Sequence, residues 1–266
     1  MYTKFKKDIW SFYKCNKRDL PWRRTRDPYR ILISEIMLQQ TQVDRVIPRY
    51  LQFLTRFPTF ASLAKAPLAD VLKVWQGLGY NRRALSLKRL AHIVSTNYRG
   101  RLPKEVSELE RLPGIGPYTA RAICAFAWNQ PNVCIETNIR RVYIHHFFPK
   151  KSEVHDEQLL PIIEKTIDQK NPREWFYALM DYGSVLGRAV TNPNRRSQHY
   201  ALQSKFEGSR RQLRGAVLRL VLQHHKVPVR ALPSTLKTSV KIIGQILGEL
   251  EQEGFIQRQG GHILSS

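Results

Sequence analysis

The stretch Leu112-Pro113-Gly114-Ile115-Gly116-Pro117-Tyr118-Thr119-Ala120 decides the reading of this chain. Leu-Pro-Gly ends one helix and Pro117 opens another, so the stretch is a hairpin between two helices. Gly114 and Gly116 let backbone N–H groups approach a phosphate closely, and the second helix brings its positive dipole end to the same place. Glycines bracketing one apolar residue, after Leu-Pro and before a helix, form the helix-hairpin-helix pattern. It grips a nucleic-acid backbone without reading its bases. Further on, Glu136-Thr137-Asn138 puts a carboxylate and an amide where the next helix begins.

Working outward, the chain is helical throughout. Apolar residues recur every three or four positions in Ile31–Leu38, Val46–Phe57, Val71–Trp75, Leu85–Val94, Val106–Leu112, Thr119–Trp128, Ile139–Phe148, Leu159–Ile167 and Trp175–Leu186. Turn signals such as Asp27-Pro28, Phe57-Pro58, Gly77-Leu78-Gly79 and Asn192-Pro193-Asn194 separate them. The apolar period fades across Thr191–Gly208, where Arg195, Arg196, Gln198, Gln203 and Lys205 cluster. Beyond it come two amphipathic helices, Arg210–His224 and Ser239–Glu253, and then Gly254–Leu264, which reads as a β-hairpin around Gln259-Gly260-Gly261. The expected fold is all-α, a two-lobed helix-hairpin-helix core with a small C-terminal winged helix-turn-helix module. The core spans 1–200, one lobe about 28–137 and the other 1–27 with 138–200; the module spans 208–266.

Composition narrows the partners. Lys+Arg 44 against Asp+Glu 21 give a net charge of +23, which points to a polyanion. No run of about 18 apolar residues exists to cross a membrane, and the N-terminus reads as a first helix with Ile9, Phe12 and Tyr13 on one face. The expected setting is the cytoplasm, at the nucleoid. Cys15, Cys124 and Cys134 are too few and too far apart for a disulfide framework or a zinc site.

Pro28–Gln42 carries the chemistry. Glu35 lies among Ile31, Leu32, Ile33, Ile36, Met37 and Leu38, so its carboxyl group is partly dry and suited to act as an acid near neutral pH. Pairing to one of the many arginines is the other reading of such a residue. Gln39 and Gln40, at the helix end, are long and uncharged enough to enter a gap left by an extruded base. Leu20-Pro21-Trp22-Arg23 sets an aromatic face beside a guanidinium, an arrangement that stacks on and hydrogen-bonds a base.

Together, Leu20–Arg23, Asp27-Pro28-Tyr29, Ser34–Val43, Gly77-Leu78-Gly79-Tyr80, the Leu112–Ala120 hairpin and Met180-Asp181-Tyr182-Gly183 resemble the MutY-type adenine DNA glycosylases of the helix-hairpin-helix superfamily, over about residues 4–190. The resemblance implies that Glu35 protonates an extruded adenine and later helps to activate water. Glu136 would stabilise the oxocarbenium-like sugar, flanked by Tyr118 and Asn138. Trp22, Arg23 and Asp181 would line the adenine pocket, and Gln40 would fill the vacated stack. Gln39, Thr41, Gly77, Gly79, Tyr80, Asn81 and Thr119 would join Gly114 and Gly116 at the DNA, with a monovalent cation on carbonyls near the hairpin. The implied partner is mismatched or damaged double-stranded DNA, bound by a monomer.

The chemistry is consistent without the family. Adenine leaves only once a ring nitrogen is protonated, and the sugar then becomes positive, so one carboxyl must arrive as acid and the other ionised. Tyr118 stands where lyases of this superfamily keep a Schiff-base lysine, which implies a monofunctional hydrolase. Four features depart from the family. Glu136 replaces an aspartate, and Ser184–Pro193 lacks the cysteines of an iron–sulfur cluster. No cluster is therefore expected, and Arg188, Arg195 and Arg196 are candidates for DNA contacts there. The oxoguanine-reading domain gives way to the winged helix, and Asn81 takes the place of a second tyrosine wedged near the lesion. Adenine opposite oxoguanine or guanine is the expected target; the alternatives are hypoxanthine, uracil or thymine opposite guanine, or a non-catalytic DNA-binding protein.

Overall fold

Fourteen α-helices and three strands make up the described residues, 1–202 and 205–265, of the computed structural model. The helices are α1 (Tyr2–Asn16), α2 (Pro28–Leu38), α3 (Val43–Arg56), α4 (Phe60–Lys65), α5 (Leu68–Trp75), α6 (Arg82–Asn97), α7 (Val106–Leu109), α8 (Pro117–Trp128), α9 (Thr137–Phe147), α10 (Asp156–Thr166), α11 (Pro172–Ala189), α12 (Arg210–His224), α13 (Leu232–Thr235) and α14 (Val240–Gln252). Every predicted apolar segment lies in or across a helix, and the all-α core is as the periodicity predicts. Gln203, counted in the polar seam, and Ser266, the last residue of the module, lie outside the described residues.

Contacts divide the chain into two units, Met1–Glu35 with Leu102–Leu202, and Ile36–Arg101 with Gln203–Ser266. Helix α8 packs on α11 in the first unit, and α12 packs on α5 in the second.

In the first unit α11 is the central helix, packed against α9, α1 and α8. Trp175, Phe176, Ala178 and Leu179 are fully buried there, with Ile9, Val142, Tyr143 and Ile163 from the surrounding helices. In the second unit α4 and α5 pack on α6 around Leu63, Val71, Trp75, Leu87 and Leu90. Its C-terminal part carries the strands β1 (Lys226–Pro228), β2 (Ile256–Gln259) and β3 (His262–Ser265), an antiparallel sheet in the order β1-β3-β2. The Gln259↔His262 pair closes the hairpin, and Gly260 and Gly261 both have positive φ (55° and 73°), as a two-residue turn of this twist requires.

Candidate active site

Glu35 is 8% exposed on α2, whose flanking Ile31, Leu32, Ile33, Ile36 and Met37 are all buried. The Tyr118 hydroxyl hydrogen-bonds its carboxyl group. Burial, and then the charge of Glu136, push Glu35 up to about 8, against the Tyr118 hydrogen bond and the Arg23 charge, which pull it down. The carboxyl is a proton carrier at neutral pH. The two acids predicted from distant parts of the chain thus act on each other in one place.

Tyr118 is delivered by the hairpin. Leu112 O accepts the Ile115 N–H at 3.2 Å, Gly114 takes φ +83°, and Gly116 caps α8 with Pro117 in the first turn. Space around Gly116 is open, with nothing within 4 Å of the position of a Cβ. The backbone there is approachable, as phosphate binding requires. Thr119 is buried one position on.

Glu136 caps α9. Its Oε1 accepts the N–H groups of Asn138 (2.7 Å) and Ile139 (2.8 Å), and its Oε2 accepts Asn138 Nδ2 at 3.2 Å. Burial raises its pKa, while those N–H groups and then Arg141 and Arg140 pull it back. The helix N-terminus favours the ionised form that a developing sugar cation needs. Asn138 is oriented in turn: Arg141 Nη1 donates to its Oδ1 and to the Gly183 carbonyl, both at 2.7 Å, and Arg141 Nε donates to Asn192 Oδ1 at 3.0 Å.

Asp181 is almost wholly buried and accepts a fork from Arg23, Nη1 to Oδ2 at 2.7 Å and Nη2 to Oδ1 at 2.8 Å. Arg18 adds its backbone N–H to Oδ2 at 3.0 Å and its Nε to Oδ1. Burial would raise this carboxyl, yet the Arg23 hydrogen bonds and charge, with Arg18, hold it below the usual range. Both oxygens are committed to arginines, so Asp181 fixes the Arg23 guanidinium. The Arg23 guanidinium lies 4.4 Å over the Tyr177 ring, which stacks on Phe126. Trp22 is buried beside Arg23 in the chain. The Cys134 thiol is also buried here, pushed up by burial and by both carboxylates.

The residues predicted at the DNA in 39–41 and 77–81 belong to the second unit, and one residue organises them. Arg83 Nη1 donates to the carbonyls of Ile36 (2.8 Å), Met37 (2.9 Å) and Gln39 (2.5 Å). Its Nη2 reaches Thr41 Oγ1 (2.9 Å), Leu78 O (3.1 Å) and Gly79 O (3.2 Å). One guanidinium thus ties the Gln39–Thr41 loop to the Gly77–Tyr80 loop. Gln40 and Tyr80 both have left-handed φ (55° and 49°), Gly77 and Gly79 supply the other turns (91° and 70°), and Asn81 caps α6.

Arg83, Arg141, Tyr177 and Cys134 escaped the sequence reading. Of these, only Cys134 carried a usable signal, two residues before Glu136. Arg196, a candidate DNA contact, also braces the fold, since its Nη1 donates to the carbonyls of Phe148, Pro149 (3.0 Å) and Lys151 (3.1 Å). Asn194 Nδ2 likewise holds Thr137 O at 2.8 Å. Residues 135–266 hold no cysteine, and among the described residues no three His, Cys, Asp or Glu side chains gather as metal ligands.

Fold and site define a helix-hairpin-helix protein with a protonatable acid facing a second carboxylate. The chain belongs to the HhH-GPD superfamily of base excision DNA repair proteins, whose family model matches residues 33–165. It is 44% identical over 136 residues to an adenine DNA glycosylase of Mycolicibacterium smegmatis (51% of this chain, 46% of that one). It is 36% identical over 179 residues to that of Buchnera aphidicola subsp. Baizongia pistaciae (66% and 50%). The chain thus spans about half the length of these relatives. Among solved structures it is similar to a thermostable thymine-DNA glycosylase (TM-score 0.62, 30% identity, 69% of this chain and 86% of that one). It shares the fold of endonuclease III in a non-covalent DNA complex (TM-score 0.60, 17% identity, 74% and 98%). No described helix is long and apolar enough to cross a membrane.

Proposed function

We propose that this chain is a monofunctional DNA glycosylase of base excision repair that swings adenine, mispaired with oxoguanine or guanine, out of duplex DNA and hydrolyses its N-glycosidic bond. The observation that carries this is Glu35, a buried carboxyl group protonated at neutral pH, set against Glu136 in one site. Phosphate binding alone has no use for such an acid. The adenine DNA glycosylases among the relatives support the choice of base.

Glu35 gives its proton to a ring nitrogen of adenine, and the C1′–N bond breaks with its electron pair going to the base. Positive charge spreads over the sugar, facing the Glu136 carboxylate oriented by Asn138. Water then adds at C1′ and returns a proton to Glu35. No lysine stands at position 118, so the sugar is not captured as a Schiff base. Arg23, presented by Asp181, and Trp22 receive the base, and Gln40 fills its place in the stack. Gly114 and Gly116 hold the phosphate, which helps offset an extrusion cost of a few kcal/mol. The chain's own side chains carry each of these steps, and a monovalent cation at the hairpin would be structural. The C-terminal module, 208–266, would serve as a winged helix-turn-helix. The protein works as a monomer on double-stranded DNA, in the cytoplasm at the nucleoid.

Thymine opposite guanine is the second reading, favoured by the 30% identity to a thymine-DNA glycosylase over most of that chain. Duplexes carrying each mismatch and deaminated base, incubated with the protein and then cleaved with alkali at abasic sites, separate the two. Scission at adenine opposite oxoguanine or guanine is expected; scission confined to thymine or uracil would overturn the adenine assignment.

A further inference from the structure

The reaction above makes no use of the C-terminal segment. Its first helix, α12, begins Arg210-Arg211-Gln212-Leu213-Arg214 behind Ser209, whose hydroxyl accepts the Gln212 N–H. Arg211 Nη1 donates to the Tyr80 hydroxyl at 3.0 Å. Tyr80 is a bulky residue in left-handed backbone conformation, a state costing about 1 kcal/mol or more that persists only where its surroundings impose it. The surroundings do. Arg83 lies 5.5 Å from the Tyr80 ring, Trp75 Nε1 donates to the Gly79 carbonyl at 3.0 Å, and Arg211 holds the far end.

The helix that supplies Arg211 is itself fixed. Arg214 donates to both oxygens of Glu253 (2.8 and 2.9 Å) and to Glu249, and Arg210 also pairs with Glu249. Arg82, at the start of α6 and two residues past Tyr80, pairs with Glu253 at 2.8 Å. Glu251 is matched by Arg258 at 3.1 Å. The carboxylates of α14 and its cap are therefore each neutralised by an arginine, and this face opposes no phosphate with bare negative charge.

Arg83 ties the loops that carry Tyr80 and Gln40 into one clasp. On the function proposed above, on which this inference rests, Gln40 enters the gap left by adenine. The base that lost its partner then lies across that gap, within reach of the side chains beside Gln40. We infer that Arg211 is a specificity-determining residue: the C-terminal segment fixes the Tyr80 hydroxyl so that the base opposite the excised adenine is read by a tyrosine of set orientation, backed by a guanidinium. Arg211 is a positioning residue, acting through Tyr80.

Single-turnover adenine release from duplexes with oxoguanine and with guanine opposite tests this in the full chain, for Arg211→Met, Tyr80→Phe, their combination, and Arg219→Met as an exposed control on the same helix. Losing a hydrogen bond from a charged donor should shrink the oxoguanine-to-guanine rate ratio about ten-fold in either single variant. The combination should lose no more than one of them, and Arg219→Met should keep the original ratio. A merely structural contact would lower both rates together and leave the ratio alone. If Arg211→Met does not fold, Tyr80→Phe removes the same bond and should shrink the ratio equally. An unchanged ratio in a chain that still releases adenine would overturn this inference alone. A chain that releases adenine from neither duplex would overturn the function beneath it as well.

Discussion

A Cβ at Gly183 would lie 2.4 Å from the carbonyl oxygen of Asn138. Helix α11 meets α9 backbone to backbone there, at the residue that orients the Glu136 carboxylate. One turn on, a Cβ at Gly187 would sit 2.7 Å from Arg141 Cζ. Two glycines at helical spacing thus open a notch for α9 and for the guanidinium that steadies Asn138. Glycine within a helix ordinarily costs about 1 kcal/mol relative to alanine, and here the close approach reverses that preference. Gly183→Ala should destabilise the chain by about 1–3 kcal/mol, as overpacking does, and lower the rate of base release through displaced Asn138. Urea midpoints and single-turnover rates check this. Gly187→Ala should be milder, because a side-chain end can move where a backbone carbonyl cannot.

Glu136 stands where the resembling family keeps aspartate, and its bonds to Asn138 and Ile139 explain why the fold accepts it. Aspartate is among the best N-cap residues, so Glu136→Asp should keep the melting midpoint and retain or raise activity. Complete loss of activity in a folded Glu136→Asp protein would mean that the site is built around the longer acid. Glu136→Gln can still accept the two backbone N–H groups. It should fold, yet release base at least about 10²-fold more slowly for want of the negative charge.

What the sequence could and could not reveal follows from how each residue is defined. Glu35 was legible because six apolar neighbours surround it within one helix, and the hairpin because glycine and proline act locally. Asp181 was placed at the base pocket, but its saturation by Arg18 and Arg23 depends on partners more than 150 residues away. Arg83, Arg141 and Arg211 are three among 44 basic residues, and nothing in their own segments distinguishes them. Arg141 is defined by Gly183, and Arg211 by Tyr80, 131 residues earlier. The packing of α12 on α5 escaped for the same reason, since the two meet only in the folded chain.

Arg83 makes six hydrogen bonds to the end of α2 and to two loops, and burial lowers its pKa to about 10 while leaving it charged at neutral pH. Arg83→Met should cost about 2–3 kcal/mol, because buried carbonyls lose a charged donor. Amide hydrogen exchange should quicken at 36–41 and 77–80, and affinity for mismatched duplex should fall. Arg83→Lys should rescue only part of this, since one ammonium cannot fork to both loops. Unchanged exchange in those loops would remove Arg83 from its organising role.

Glu35 supplies the pH signature. Its carboxyl ionises near 4.5 when unperturbed and at about 8 in the folded chain. Between those values the unfolded chain binds fewer protons than the folded one, so this residue's contribution to stability is full below about pH 4.5 and is lost as pH rises to about 8. Glu35→Gln carries no such proton. Its melting midpoint should therefore gain on the wild type steadily from about pH 5 to about pH 8.5, with a ceiling of about 5 kcal/mol. The same variant should bind mismatched DNA almost normally and release no adenine. In the wild type, base release should fall above about pH 8 as Glu35 loses its proton. It should also fall in acid as Glu136 gains one, at a pH above the ordinary carboxylate range because burial raises that group too. A rate still rising past about pH 9, or a stability gap between the two proteins that ignores pH, would show that Glu35 is not the proton donor.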